Sequence, residues 1–301
     1  MSDPLIAAIE AGGTKFVASL ASGPDDIRVR KRIPTTKPDE TIPKLLEFFR
    51  DAIAEHGQPE AIGIGTFGPV DLQKDSPTFG HITSTPKLAW QNADLLGPIQ
   101  AALDLPAFID TDVNAAALGE WQWGAGQGID NLIYITIGTG IGGGILINGA
   151  PVHGLLHPEI GHIRIPRPAS EIEAFAGVCP FHGDCFEGIA AGPAIEARWG
   201  KPAQELGEDH EAWDIQAGYV AQACVNFTLT VSCQRIILGG GVNSQMHLFP
   251  KIRERFQLLL NNYLVHSAVM EVIDQFIVPP GLGDNAGLLG SVALAQQFLR
   301  K

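Results

Sequence analysis

Nowhere in the 301 residues is there a window approaching the roughly 18 uninterrupted apolar residues of a membrane span, so no membrane partner is expected. The first apolar run, Leu5-Ile6-Ala7-Ala8-Ile9, has no basic stretch or small-residue cleavage site before it. That argues against a signal peptide and sets the cytoplasm as the expected location. Cations are scarce, with 20 Lys and Arg against 33 Asp and Glu and a net charge of −13. Nucleic acids are bound by clustered Lys and Arg, so none is expected as a partner. A single nucleotide is a different case, because backbone N–H groups and a divalent cation can hold it. Cysteine is sparse as well, with only Cys179, Cys185, Cys224 and Cys233. Without a secretory signal, disulfides are the less expected use of them.

What remains is an ordinary globular composition, 45% hydrophobic and 18% charged, long enough for two domains. Strands alternate with helices, which predicts an α/β fold. A strand at 5–9, the turn Gly12-Gly13-Thr14 and a second apolar run at 16–20 form a hairpin signal. A helix is expected over 43–56, with Thr41 as N-cap and Gly57 as stop. Strands follow at 61–65 and 107–110, then a helix over about 113–122. The strand–glycine turn–strand unit returns at 132–147, about 125 residues later, which suggests a duplicated domain with a cleft between the halves. Further helices are expected near 212–231, 251–263 and 285–299, the last capped by the pair Asp284-Asn285.

Four glycine clusters stand at strand ends. In Glu10-Ala-Gly-Gly-Thr-Lys15, Gly12 and Gly13 let the backbone approach an anion, Thr14 offers a hydroxyl and Lys15 a charge. Gly138-Thr139-Gly140-Ile-Gly-Gly-Gly144 has five glycines in seven positions, more than a turn needs. Gly239-Gly240-Gly241 would let a flat base lie on the backbone. Gly281–Gly290, with Gly283 and Asn285, runs into the last helix, whose N-terminus favours negative charge. Together they point to a nucleotide cleft, and a divalent cation would help bring a triphosphate such as ATP to so acidic a surface. In Asp110-Thr-Asp-Val-Asn-Ala-Ala-Ala117, capping a helix needs one acid, and the other is available as a base. Phosphoryl transfer to an alcohol uses such a carboxylate to take and orient the hydroxyl proton. Asp112 is the choice and Asp110 the reserve. Cys179-Pro-Phe-His182-Gly-Asp-Cys185 is a compact knuckle that His162 would complete as a closed tetrahedral Zn²⁺ site, with His157 and His153 competing for the fourth place. Four protein ligands leave no open position, so the metal would be structural and would hold the loop 155–188. Cys224 and Cys233, in an apolar stretch, are expected in the core.

The segments 10–15, 112–120, 138–144, Glu159-Ile-Gly-His162 and the 179–185 knuckle together resemble the ROK family of repressors, open reading frames and sugar kinases. The match runs in order over nearly the whole chain. It implies an actin-like ATPase (hexokinase/ribonuclease H-like) fold with a central ligand cleft. A small domain would span 1–113, joined by the final helix 288–301, and a larger one 114–287. By resemblance Asp112 is the general base, and Gly68, Thr111, Glu159, His162 and Glu187 fall at sugar-site positions. Glu10, where many members have Asp, would help hold Mg²⁺. Glu10, the 179–185 spacing and Thr83-Ser-Thr-Pro-Lys-Leu-Ala-Trp90 look like the fructose-phosphorylating members, which make fructose 6-phosphate. Thr111 stands where many glucose-specific members have Asn. Mannose, glucose or another hexose is the alternative substrate, and a catalytically silent sugar-binding protein the alternative class. The regulators of the family carry an N-terminal helix-turn-helix, for which a glycine hairpin starting by residue 12 leaves no room. The resemblance also implies a homodimer.

Overall fold

The computed structural model describes residues 3–300; residues 1, 2 and 301, and with them the outer ends of the expected segments 1–113 and 288–301, lie outside it. The chain forms two compact units. The first comprises the chain up to Gly128, Gly149–His157, and the chain from Gly281 onward; the second comprises Ile129–Asn148 and Pro158–Pro280.

In the first unit five strands lie in the order β3-β2-β1-β4-β5: β1 (Ile6–Ala11), β2 (Lys15–Gly23), β3 (Asp26–Pro34), β4 (Ala61–Thr66) and β5 (Ala107–Thr111). β1 pairs antiparallel with β2 and parallel with β4. This is the actin-like ATPase arrangement that the resemblance implies. Side chains alternate across the sheet. Ala7, Ile9 and Ala11 face a core with Leu45 and Phe49 of α1 (Pro38–His56) and Ile99 of α2 (Leu96–Leu103), all buried. Ile6, Ala8 and Val17 face the last helix, Ala286–Leu299, through Leu288, Val292 and Ala295. Glu10 falls in register with these residues.

Two helix boundaries differ from expectation. α1 begins at Pro38, not Pro43, because Pro38 with Asp39 and Glu40 already makes a helix start, and Pro43 sits inside. Thr41 is therefore buried in the helix, where its Oγ1 accepts the Thr36 N–H at 3.1 Å. The helix expected at 251–263 runs Leu248–Leu260.

α3 (Asp112–Trp123) carries the choice of base and belongs by contact to the first unit, not to the domain expected from residue 114 onward. The reason is its packing on the last helix. Three alanines and Gly119 give α3 a low profile, and a Cβ on Gly290 would stand 1.8 Å from the Ala115 carbonyl oxygen. Glu120, fully buried, fastens the far end: its carboxylate accepts the N–H groups of Ala125 (2.7 Å), Gly281 (2.8 Å) and Leu282 (2.9 Å). Gly290→Ala should gain up to about 1 kcal/mol in helix propensity and lose about 3 kcal/mol to overpacking. The loss wins, so the variant is expected to melt several degrees lower, and an unchanged melting temperature contradicts this packing.

The second unit repeats the pattern. β6 (Leu132–Ile137) and β7 (Ile141–Ile147) form an antiparallel hairpin across the second glycine turn. The strand Arg235–Gly239 pairs parallel with β6, and Ile277–Val278 pairs parallel with it in turn. The long helix Ala212–Val231 brings Cys224 into the core, and Cys233 is buried beyond its end.

Candidate active site

Within the first unit the β1–β2 turn is tight, with the Gly12 N–H on the Lys15 carbonyl at 3.0 Å. Thr35 occupies the turn's carbonyls, its N–H on Thr14 O at 3.0 Å and its Oγ1 on Gly12 O at 2.7 Å. The amides of Gly13 and Thr14 donate to no backbone carbonyl among the described residues, which leaves them as donors for an anion. Thr14 and Lys15 are exposed at the tip. Burial pushes the Glu10 carboxyl above its usual range and Asp284 adds to the rise, against the pull of Lys15, Arg30 and Arg32.

At the end of β5 the two acids separate into different roles. Asp110 is 2% exposed. Its Oδ1 accepts the Thr111 N–H and the Asn114 side-chain N–H, each at 2.7 Å, and its Oδ2 lies 2.9 Å from His153 Nε2. That bond raises the His153 pKa and strengthens the pair. With both oxygens hydrogen-bonded, Asp110 holds the start of α3, which favours Asp112 over this reserve as the base. The N-cap is Thr111, neither acid: its Oγ1 accepts the Asn114 N–H at 3.1 Å. Thr111 is buried in that role. Asp112 opens the helix, half-buried, its Cα 3.4 Å from where a Cβ on Gly65 would stand. Gly65 is itself fixed by its N–H to Ser291 Oγ, which donates in turn to the Ile9 carbonyl. Gly68 lies against the His157 ring, whose Nε2 accepts the Val70 N–H at 3.3 Å.

At the last helix, Asn285 stands at the N-cap without capping through its side chain. Its Oδ1 accepts Arg30 Nη1 at 2.8 Å, while Gly283, at φ +53°, has open space around it.

In the second unit the 138–144 turn is held from inside. Gly192 N–H bonds the Gly138 carbonyl at 2.8 Å, and Glu187 Oε2 accepts the Ile141 N–H at 2.9 Å. Glu187, expected to hold sugar hydroxyls or to order the sugar loop, thus also shapes the glycine turn, and Thr139 is exposed at its tip. A Cβ on Gly140 would stand 2.8 Å from Glu187 Oε2 and displace that carboxylate. Gly240, at φ +88°, is required by its approach to β6, where a Cβ would meet Ile137 O at 2.4 Å. Gly241 is exposed and open.

Glu159 titrates near 7, raised first by shielding from water and then by Glu187. Its folded pKa exceeds the ordinary 4.5, so its stabilising contribution is present below about 4.5 and lost as pH rises through about 7. Part of the side chain reaches solvent, which limits the effect to on the order of 1 kcal/mol. Glu159→Gln is expected to match the parent's melting temperature at pH 5 and exceed it at pH 8. An equal gap at both pH values contradicts the shift.

The knuckle closes as spaced. His162, Cys179, His182 and Cys185 offer ligand atoms that all lie within 4.8 Å of one another. Cys185 Sγ is 3.5 Å from His162 Nδ1, and Cys179 Sγ is 3.9 Å and 3.7 Å from the Nδ1 atoms of His162 and His182. A tetrahedron with ordinary zinc–ligand lengths has edges of about 3.5–3.8 Å, so the donor set fits zinc. His157 is engaged with Val70 and His153 with Asp110, so neither competes. Burial pushes the Cys185 thiol up to about 11 with no cation present, and neighbouring Cys179 adds to the rise.

From sequence Glu120 and Thr35 carry no such role, His153 is named only as a competing zinc ligand, and Lys87 stands unassigned within the 83–90 segment. The first three act on partners distant in sequence, which no local pattern reveals. Lys87 had a signal, its place beside Pro86 and three residues before a tryptophan.

The sequence matches the ROK family profile over residues 6–298. It is 44% identical to a fructokinase of Lactococcus lactis subsp. cremoris, covering 97% of each chain. It is 43% identical to a fructokinase of Zymomonas mobilis, covering 95% of each. The crystal structure of the ROK hexokinase from Thermus thermophilus superimposes with a TM-score of 0.79 at 26% identity, covering 99% of this chain and 100% of that one.

Proposed function

This chain belongs to the ROK family and is an ATP:hexose phosphotransferase, and on that premise we propose that its sugar is D-fructose and its product fructose 6-phosphate. The observation that carries the sugar is the 43–44% identity, over at least 95% of both chains, to fructokinases from two genera. The experiment is product identification: fructose and Mg·ATP are incubated with the enzyme, and phosphorus NMR of the product is expected to show a phosphomonoester at carbon 6. Phosphate at another carbon, or none on fructose, overturns the assignment.

Asp112 accepts the proton of the 6-hydroxyl as that oxygen attacks the γ-phosphorus. The bond to the β,γ-bridging oxygen breaks and ADP leaves. Gly12, Gly13, Thr14 and Lys15 in one unit, and Gly138, Thr139 and Gly140 in the other, hold phosphates by backbone amides and a cation. Gly240, Gly241, Gly283 and Asn285 are assigned to the nucleotide; for Gly240 and Asn285 the contact is through backbone, since their other features are spoken for by Ile137 and Arg30. Glu10 is the residue that would help hold Mg²⁺, which would supply charge neutralisation on the triphosphate. Glu159, with Gly68, serves the sugar. Thr111 and Glu187 serve it indirectly, through the α3 start and the Ile141 amide that they fix.

The four-residue Cys/His cluster is proposed as a structural Zn²⁺ site. No open ligand position remains for chemistry, and His162 lies three residues from Glu159. A homodimer rests on the family resemblance alone.

A further inference from the structure

The segment Thr83–Trp90 lies outside the reaction just described, yet it is firmly anchored beside the first glycine turn. Trp90 is 1% exposed. Its indole N–H donates to the Thr36 carbonyl at 2.7 Å, and its ring packs on Phe16 at 5.4 Å and Phe67 at 5.8 Å. Phe16 directly follows Lys15, so this anchor is packed on the strand that leaves the turn. From Trp90 the chain is fixed back to Lys87: the Trp90 N–H bonds Lys87 O at 2.8 Å, and the Lys87 N–H bonds buried Thr85 Oγ1 at 3.3 Å.

The Lys87 stem then lies across Gly13. A Cβ built on Gly13 would stand 3.0 Å from Lys87 Cε, the carbon that bears the ammonium. Among the described residues no ion pair includes Lys87. A half-buried lysine is thus held over a turn whose amides face no backbone partner, with its charge uncommitted.

We propose that Lys87 is a phosphate-binding residue, whose ammonium contacts the phosphoryl group in transit from ATP above the Gly12–Lys15 turn. This rests on reading that turn as a phosphate loop. Transfer spreads negative charge over the equatorial phosphoryl oxygens, and a fixed cation there stabilises the transition state more than the ground state. A lysine suits that role as a compact point charge on a stem that protein contacts can orient. Gly13 then has a second reason to be glycine, since any side chain would displace the lysine.

The test is Lys87→Met, neutral and of similar length, with Lys87→Arg as companion, in the full-length enzyme. Lys87→Met is expected to lower kcat/KM for ATP by about 100-fold, mostly in kcat. KM for fructose should stay within about threefold and the melting temperature should not move, while Lys87→Arg recovers part of the loss. Turnover within about threefold of the parent overturns the proposal. So does a loss confined to KM for the sugar, which would make Lys87 a sugar contact. ADP binding by calorimetry and Asp112→Asn are measured alongside. If the parent binds ADP and Asp112→Asn is inactive while Lys87→Met is normal, the lysine alone is overturned. If the parent binds no ADP, the phosphate-loop reading beneath it fails first.

Discussion

Asp112→Asn is expected to lower fructose-dependent ADP release by about 10³-fold while the protein keeps its fold. The size of the loss follows from the chemistry, because an amide cannot take the hydroxyl proton, and general-base assistance is worth about 10²–10⁴-fold. The fold survives because asparagine is nearly isosteric. Asp112's place as one acid in the first turn of α3 is worth at most about 1 kcal/mol against the helix dipole. Asp110→Asn makes the contrast. That carboxylate is buried and bonded to Thr111, Asn114 and His153, so its neutralisation should reduce stability and activity together. Activity lost at constant melting temperature marks the base, and activity lost with stability marks the scaffold. Turnover of Asp112→Asn within tenfold of the parent removes Asp112 from the chemistry.

The second large effect is expected from the metal site. Purified protein should contain about one zinc per chain, and stripping it with a chelator should lower the melting temperature by roughly 10 °C or more. Structural zinc sites in isolated peptides contribute apparent free energies of about 10–16 kcal/mol, which sets an upper scale for the loss. Without a cation, two buried thiols and two imidazoles are left facing one another, with the Cys185 thiol held protonated. The effect should reach the sugar. Glu159 precedes the turn Ile160–His162, and Glu187 lies two residues beyond Cys185 with its carboxylate on the Ile141 amide. Loss of the metal is therefore expected to raise KM for fructose by about 10–100-fold, the range seen when metal-site supports are removed. Cys185→Ser should reproduce both changes. Metal-free protein with unchanged melting and unchanged KM would refute the structural role.

What was legible in the sequence is what local chemistry repeats. Glycine turns between apolar runs, and a Cys-x2-His-x2-Cys spacing, are short patterns with few other uses, and they located both hairpins and the metal cluster. The edge strand β3 was missed because Arg28, Arg30, Lys31 and Arg32 interrupt its alternation, as charges on an exposed sheet edge do. The start of α1 was misplaced because two prolines five residues apart each look like a helix start. The resemblance puts Thr111 on the sugar and Glu187 on sugar hydroxyls or the ordering of the sugar loop, while in the structure their side-chain oxygens accept backbone amides. The same residue types serve either purpose, and only geometry separates them. Glu120 shows the limit most clearly: its partners Gly281 and Leu282 lie more than 160 residues away, and nothing near position 120 announces them.

Phosphorylation of fructose by ATP is tested most directly by ADP release from Mg·ATP against a panel of fructose, mannose, glucose, N-acetylmannosamine and no sugar. Turnover is expected to be strongest with fructose and negligible without sugar. Another hexose in first place would contradict the substrate while leaving the kinase standing. No sugar-dependent release, from folded and zinc-loaded protein, would contradict the kinase itself.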